Sequence, residues 1–242
     1  MTMAGGLPAV WSGLLALPFV VTGSYVAVFQ TQYPIADGQA TAPPVAGVIL
    51  AAFGLFVFGL GLYVQYVTAP SAPTVRQGER VVDERVPALR NALSKAFASF
   101  PVLGVGIYLL YFTELQYVYP IVALAAGLYL FSTGCYTFWQ NTLTKYYVTN
   151  RRVLVEYRFI SLVRNEVPHA KVRGVEERRT FWGSMLGIGY VVVRSGHGSG
   201  LAVSIGGIYD SDEFADTIRA QLGSHTNEAT DSVETDAIPV RS

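Results

Sequence analysis

Basic side chains are concentrated between residues 145 and 194, where ten Lys or Arg accompany four Asp or Glu. Guanidinium and ammonium groups bind phosphates and carboxylates, and each contributes about 1 kcal/mol near an anionic membrane surface. The hypothesis that this stretch indicates is a surface that binds lipid headgroups. The candidate residues for this site are Lys145, Arg151, Arg152, Arg173, Arg178 and Arg179. A solvated surface without a specific ligand explains the same charges and is the favoured interpretation.

Residues that hold metals or act as nucleophiles are few and far apart. Cys135 is the only cysteine, and His169, His197 and His225 include no pair spaced to share one helix face. We therefore predict no metal site and no cofactor. Cys135 is expected to pack as a small apolar group, and His169 to be a hydrogen-bonded structural residue.

Two glycine-rich segments, 183–189 and 196–200, do not have the flanking residues and elements of a nucleotide-binding loop or a nucleophile loop. The first has neither the strand-to-helix setting of a dinucleotide fingerprint nor the Lys-Ser/Thr of a phosphate loop, so it predicts a turn. In the second, Ser199 has no recognisable acid–base partner, and a hairpin loop explains it. We therefore expect no enzymatic activity, with a membrane enzyme acting on lipid or peptide as the weaker alternative.

The elements that position these residues fall into two parts of contrasting composition. Only 14% of the chain is charged and 51% is hydrophobic, whereas a soluble domain carries about 25% charged residues. Residues 1–75 contain no Lys or Arg and one acidic residue, Asp37, while residues 141–242 contain twelve basic and twelve acidic residues. This contrast disfavours a soluble protein with one core, and the balanced net charge gives no indication of nucleic-acid binding.

The first part predicts four membrane-spanning helices arranged as two hairpins. About 20 apolar residues cross a bilayer, and residues 96–139 form a run twice that long with Glu114 as its only charge. We place the break in that run at residues 113–116, with Pro120 in the first turn of the next helix. The predicted spans are residues 9–30, 45–68, 95–113 and 117–140. The first run lacks the basic start of a signal peptide and is kept as a span.

The basic residues also predict the orientation of these spans. The connections 31–44 and 113–116 contain no Lys or Arg, whereas the connection between the second and third spans is basic. With both termini in the cytoplasm, all 17 basic residues lie on the inner side, as the positive-inside rule requires.

Glycines within the spans predict close contact between helices. These residues are Gly54, Gly59, Gly61, Gly104 and Gly106. Packing within one chain is the favoured use, with homodimerisation as the alternative.

After residue 140, short alternating apolar runs predict a domain rich in β-strands. The predicted strands lie around residues 146–148, 153–159, 162–167, 171–179, 189–194 and 201–205. A helix follows, with Asp210 as its N-cap and Gly223 just past its end. Its apolar stripe is Phe214, Ile218 and Leu222, and the polar residues 224–242 are predicted to be disordered.

Three blocks of this domain resemble conserved blocks of the bacterial pleckstrin-homology (PH) domain family. They are Lys145–Val155, Glu166–Val175 and Met185–Val193, and the segment Gly78–Val82 resembles one that often precedes the helix pair in that family. The resemblance covers about residues 78–223. It implies a partly open barrel of about seven strands with a C-terminal helix, a helix pair before it, and no established catalytic activity.

The fold class expected overall is an α-helical membrane protein of four transmembrane helices, followed by a small β-rich PH-like barrel with a C-terminal helix. The expected segments are an N-terminal hairpin (1–68), a basic cytoplasmic connection (69–94), a second hairpin (95–140), the PH-like domain (141–223) and a polar tail (224–242).

We expect a noncatalytic module in a prokaryotic cell membrane that binds membrane lipids, a protein partner or another copy of itself. The alternative is a small transporter or channel, although the spans contain no central ionisable group for a substrate.

Overall fold

The computed structural model describes residues 8–34, 42–67, 76–158, 162–196 and 202–236, excluding the side chains of residues 162, 182, 186, 202 and 224–236. The chain divides into two compact units. The helical unit is Met1–Pro70 with Leu89–Leu143, and the strand domain is Ser71–Ala88 with Thr144–Ser242.

Four apolar helices are present in the described part of the helical unit, as the sequence predicted. They are α1 (Pro8–Ser24), α2 (Pro44–Val67), α3 (Arg90–Phe112) and α4 (Val118–Thr142). All four are long and apolar enough to cross a membrane, and α1 continues into a π-helical turn at Tyr25–Phe29. Residues 113–116 separate α3 from α4, and Pro120 lies in the first turn of α4, both as predicted.

An aromatic cluster joins the two helical hairpins. Phe19, Phe53, Phe100 and Phe131 come from α1, α2, α3 and α4 respectively, and all four belong to one apolar core. The ring centroid of Phe19 lies 4.6 Å from that of Phe131 and 5.2 Å from that of Phe53. Tilted and edge-to-face pairs at such distances are favourable beyond the apolar area that they bury. The hairpins therefore share a core.

The predicted role of the glycines is confirmed at three of five positions. A Cβ atom added at Gly54, Gly61 or Gly106 would lie 2.7, 2.2 or 2.8 Å from a side chain of the neighbouring helix, so only glycine allows the observed approach. At Gly59 and Gly104 the prediction is wrong, because an added Cβ would have no neighbour within 4 Å.

The described residues of the strand domain form seven strands in two antiparallel sheets. They are β1 (Val81–Arg85), β2 (Thr144–Thr149), β3 (Arg152–Arg158), β4 (Leu162–Pro168), β5 (Val172–Arg178), β6 (Ile188–Ser195) and β7 (Ala202–Tyr209). The first sheet has the order β1-β2-β3-β4 and the second β5-β6-β7. The six predicted strands are present, whereas β1 lies in the segment predicted to be a connection. Its sequence Val-Val-Asp-Glu-Arg lacks the apolar alternation that indicates a strand.

The predicted barrel is not closed in the part of the chain that the structure describes. The chain leaves the first sheet at a 3₁₀ turn, His169–Lys171, and then forms a separate second sheet. Buried side chains of both sheets and of the C-terminal helix nevertheless form one core. Its members include Val148, Val153, Val191, Ile205, Phe214 and Ile218.

The glycine-rich segment 183–189, predicted to be a turn, contributes to a short helix, α5 (Phe181–Leu186). The hydroxyl of Thr180 accepts a hydrogen bond from the Gly183 N–H at 3.0 Å, which caps the start of the helix. Gly187 ends it in the left-handed region, with φ 67°. Gly183 and Gly187 therefore lie at the start and the end of this short helix.

The C-terminal helix, α6 (Ser211–Asp236), confirms the predicted stripe and corrects the predicted end. Phe214 and Ile218 are buried, and Leu222 packs against the same core. Gly223 does not end the helix, and residues 224–236 are helical rather than disordered. A glycine inside a helix costs only about 1 kcal/mol, so Gly223 by itself is not sufficient to end the helix. Residues 237–242 of the predicted tail lie outside the described residues.

Candidate anion-binding site

The strand domain is connected to α3 and α4 at one of its ends. Ala88 precedes the start of α3 by two residues, and Thr144 follows the end of α4 by two. Arg85 pairs with Tyr146 across β1 and β2, so both connections lie at the same end of these strands, which we call the junction end. The opposite end contains the turn 149–152, where Thr149 is about 17 Å from Thr144 at 3.3 Å per residue.

The start of α6 and the end of β5 also lie at the junction end. Arg85 forms an ion pair with Glu213 at 2.9 Å, and Arg179 forms one with Asp212 at 3.1 Å. Helix α5 follows β5 directly, and its side chains Phe181 and Met185 are 79% and 74% exposed. The junction end therefore presents apolar side chains together with paired charges.

The six predicted headgroup residues are divided between the two ends of the domain. Lys145, Arg178 and Arg179 lie at the junction end, whereas Arg151, Arg152 and Arg173 lie toward the opposite end. The structure therefore does not bring all six together.

Acidic neighbours compensate the cations of the junction end. The ion pairs are Lys145–Glu84 at 3.1 Å, Arg178–Glu176 at 2.6 Å and Arg179–Glu177 at 2.8 Å. Exposed pairs of this kind contribute at most about 1 kcal/mol, and they reduce the local positive charge available to an anion.

Arg152 belongs to a buried ion cluster. Its Nε and Nη2 atoms donate to the two carboxylate oxygens of Glu79 at 2.8 and 2.9 Å, and its Nη1 donates to Glu166. The Thr149 hydroxyl also donates to Glu79 at 2.8 Å. The side chains of Arg152 and Glu79 are 7% and 0% exposed. Arg152 therefore fastens the segment before β1 to the β2–β3 turn and faces the protein interior.

The environment of Glu79 keeps this cluster ionised. Burial alone raises the pKa of its carboxyl, but hydrogen bonds from the Arg152 guanidinium, the Arg76 backbone N–H and the Thr149 hydroxyl outweigh burial and lower the pKa to about 2. The hydrogen bonds to Glu79 in turn raise the pKa of Arg152. Both groups are therefore charged at every physiological pH.

Four exposed cations that have no ion pair among the described residues form what we call the cationic rim. They are Arg80, Arg151, Lys171 and Arg173. The Asn150 N–H donates to the Arg80 carbonyl at 3.2 Å, and the His169 N–H donates to the Arg151 carbonyl at 3.0 Å. These backbone bonds hold the start of β1, the β2–β3 turn and the 3₁₀ turn together.

The second sheet brings Arg173 to the same end. The Gly196 N–H donates to the Lys171 carbonyl at 3.1 Å, and a Cβ added at Gly196 would lie 2.2 Å from Nε of Arg173. Gly196 thus leaves the space that the Arg173 side chain occupies. The sequence had indicated Arg151 and Arg173, whereas Arg80 and Lys171 were missed because only nonlocal pairing places them here.

The residues that the sequence analysis considered for metal binding or catalysis are buried where the structure describes them. His169 is buried, and its Nε2 lies 2.8 Å from the Thr149 carbonyl oxygen, which fits the predicted structural role. Cys135 is buried in α4. Within the described ranges, no three His, Cys, Asp or Glu side chains come together as metal ligands. His197 and Ser199 lie outside those ranges.

Comparison with known proteins gives one family finding. A family model described as Bacterial PH domain matches residues 98–222, slightly more than half of the chain. The match includes most of α3, all of α4 and the strand domain from β2 into α6. Comparisons with curated proteins and with solved structures gave no match.

Proposed function

The chain belongs to the bacterial PH domain family, and we propose that it is a noncatalytic, membrane-anchored module that captures an anionic partner at the cationic rim. In this proposal α1–α4 are a multi-pass anchor in a prokaryotic cell membrane, and both termini are cytoplasmic. The PH-like domain then works at the inner surface. Anchoring confines the domain to that surface, so that weak contacts gain effective concentration.

The contrast between the two ends of the strand domain carries this proposal. The junction-end cations have acidic partners, whereas the four rim cations have none among the described residues. A bound anion would supply the missing charge and accept charge-assisted hydrogen bonds from the guanidinium groups. Such complementary charge gives specificity and fast association.

The partner that fits this geometry best is an acidic segment of a protein. The rim lies at the end of β2 away from the junction with α4, and a six-residue strand separates the two. A soluble protein or a neighbouring membrane protein can bind at that end whatever the orientation of the domain relative to the lipid surface. One source of such a segment is a second copy of this chain, whose residues 224–236 include several acidic side chains.

A second candidate ligand is an anionic lipid headgroup. The four helices have the length and composition to cross a membrane, and the cytoplasmic leaflet attracts basic surfaces within about 10 Å. This function requires β2 to lie along the membrane so that the rim meets the headgroups.

Titration of the full-length protein in mild detergent tests the proposal and separates the two ligands. The probes are a synthetic peptide of residues 224–242 and a short-chain phosphatidylglycerol, with short-chain phosphatidylcholine as the uncharged control. We expect the peptide to bind, and Arg151→Gln with Arg173→Gln to weaken its binding about tenfold, or about 1.4 kcal/mol. Isothermal titration calorimetry measures both values.

The matched control carries Arg178→Gln with Arg179→Gln, which removes the same charge from the junction end. Its peptide affinity should equal that of the unmodified protein. If phosphatidylglycerol binds through the rim and the peptide does not, the headgroup function replaces the first. If both double variants lose affinity equally, or neither probe binds, the rim is not the site.

A further inference from the structure

The strand domain exposes its large apolar side chains mainly at the junction end. Phe181 and Met185 of α5 are 79% and 74% exposed, more than any other large apolar side chain described in this domain. Val86, directly after β1, is exposed at the same end, and so is Val163, which pairs across β3 with the start of β2. Exposed apolar surface of this kind marks sites where a protein meets a partner or a membrane.

The two most exposed side chains share one face of α5. Phe181 and Met185 are four residues apart, so they are neighbours on the helix surface. Gly183 lies on the opposite face at about 100° per residue, and a Cβ added there would lie 2.5 Å from the Ile188 carbonyl oxygen. The helix therefore packs its glycine face against the start of β6 and leaves its apolar face outside the core.

Hydrogen bonds place α5 close to the point where the chain continues into α3. The Ala88 N–H donates to the Gly207 carbonyl at 2.5 Å, and Ala88 precedes α3 by two residues. Ile188, two residues after the end of α5, pairs with Tyr209, two residues after Gly207. Only a few residues therefore separate α5 from the connection to α3.

The membrane boundary predicted from the sequence is near the same point of the chain. Lys95 begins the third predicted span and is five residues after the start of α3, about 8 Å along the helix. Gln140 ends the fourth predicted span, four residues before β2 begins. The headgroup layer on each side of a bilayer is about 5–8 Å thick. Helices that span the membrane thus bring the junction end to that layer.

We propose that α5 inserts Phe181 and Met185 into the headgroup layer of the membrane that α1–α4 span. Interfacial helices bury an apolar face about 5–10 Å into the boundary between headgroups and acyl chains. The inference rests on the anchor in the proposed function and deepens it, because a domain held at its junction end keeps the cationic rim toward the cytoplasm.

The inserted side chains, rather than the neighbouring charges, supply the attraction to lipid. Arg178 and Arg179 follow β5 directly before α5, and both have acidic partners, Glu176 and Glu177. Compensated cations add little attraction to an anionic surface. Insertion should therefore proceed equally well in a membrane without anionic lipid.

Depth measurements on single cysteines of the full-length protein test the insertion. The protein is placed in phosphatidylcholine nanodiscs whose lipid carries a doxyl quencher on the fifth carbon of an acyl chain, and Cys135→Ala removes the native thiol. Ser184→Cys places a fluorescent dye on α5 and keeps both apolar side chains. Ala170→Cys is the matched control, because Ala170 is exposed in the 3₁₀ turn at the opposite end.

We expect the doxyl lipid to lower the fluorescence of the dye at position 184 about twofold or more, and to leave the dye at position 170 unchanged. Phe181→Glu should abolish the quenching at position 184, whereas Phe181→Leu, which keeps an apolar side chain, should retain it. Replacing a third of the lipid with phosphatidylglycerol should alter neither result. The comparison of positions 184 and 170 decides the matter even if Phe181→Glu does not fold.

A third reporter separates failure of the insertion from failure of the anchor. Tyr136 is 59% exposed on α4, four residues before the end of the fourth predicted span, so a dye at Tyr136→Cys should be quenched in every variant. Quenching at position 136 without quenching at 184 would overturn the insertion alone. No quenching at 136 would overturn the anchor and the insertion with it. Equal quenching at 184 and 170, quenching at 184 that survives Phe181→Glu, or quenching there that requires phosphatidylglycerol would also overturn the insertion.

Discussion

Replacing Glu79 with glutamine is expected to lower the free energy of unfolding of the strand domain by about 3 kcal/mol. Glu79 has no exposed side-chain surface and receives two hydrogen bonds from Arg152. The substitution leaves the guanidinium buried with Glu166 as its remaining acidic partner. Hydrogen exchange of the amides of β2 and β3 in the full-length protein measures the loss.

The control for this prediction is Glu84→Gln. Glu84 also pairs with a cation, Lys145, but both side chains are partly exposed, so the loss should be less than about 1 kcal/mol. Similar losses in the two variants would show that burial of the Glu79 pair contributes nothing.

The same cluster predicts the response of the strand domain to acid. Because the pKa of Glu79 is about 2 in the folded state against 4.5 ordinarily, its contribution is present above the unfolded pKa and is lost as pH falls. Stability should therefore decline from about pH 5 to pH 2, by about 3 kcal/mol from this group. The Glu79→Gln protein should lack that part of the decline. An unchanged acid profile would contradict the assignment.

Replacing Gly23 with leucine is expected to separate α1 from α2 and to destabilise the helical unit by about 3 kcal/mol or more. A Cβ added at Gly23 would lie 2.4 Å from the Ala51 backbone nitrogen and 2.6 Å from the Gly47 carbonyl oxygen. Backbone atoms cannot move aside as a flexible side chain can. Gly47 faces the Ala27 nitrogen in the same way, also at 2.4 Å.

The single cysteine provides the measurement for this variant. Cys135 is buried in the core that contains Leu15, Ala16 and Val57, so loss of the first hairpin exposes its thiol. A thiol-reactive dye should label the Gly23→Leu protein at a lower temperature than the unmodified protein. Gly59→Leu should not shift that temperature. Equal shifts in both variants would mean that close helix contact at Gly23 is unimportant.

The helices were predictable because long apolar runs and the polar break at residues 113–116 are local features of the sequence. The sequence did not predict which glycines contact another helix, because that depends on which face of each helix packs against a neighbour. Gly54 and Gly59 belong to the same helix, yet only Gly54 lies against a neighbouring side chain. Gly23 and Gly47 have the closest backbone contacts among the described glycines, and no local feature of the sequence distinguishes them from the other glycines.

The strand domain shows the same division between local and nonlocal information. Apolar alternation predicted six strands, while β1 is rich in charge and becomes a strand by pairing with β2, more than 60 residues later in the chain. That pairing also brings Arg80 to the cationic rim and Glu79 to Arg152. Charge counts alone therefore grouped the buried Arg152 with the exposed Arg151.

Protease accessibility is the most direct test of the proposed topology. In that topology α1–α4 cross the membrane and the PH-like domain lies at its inner surface. Trypsin cleaves after Lys and Arg; 16 of the 17 such residues lie in the segments predicted to be cytoplasmic, and Lys95 is the first residue of the third predicted span, at its cytoplasmic end. Trypsin added to sealed, right-side-out cells should leave the chain intact, whereas trypsin added to inverted membrane vesicles should cut the strand domain. Cleavage in the intact cells would contradict the account.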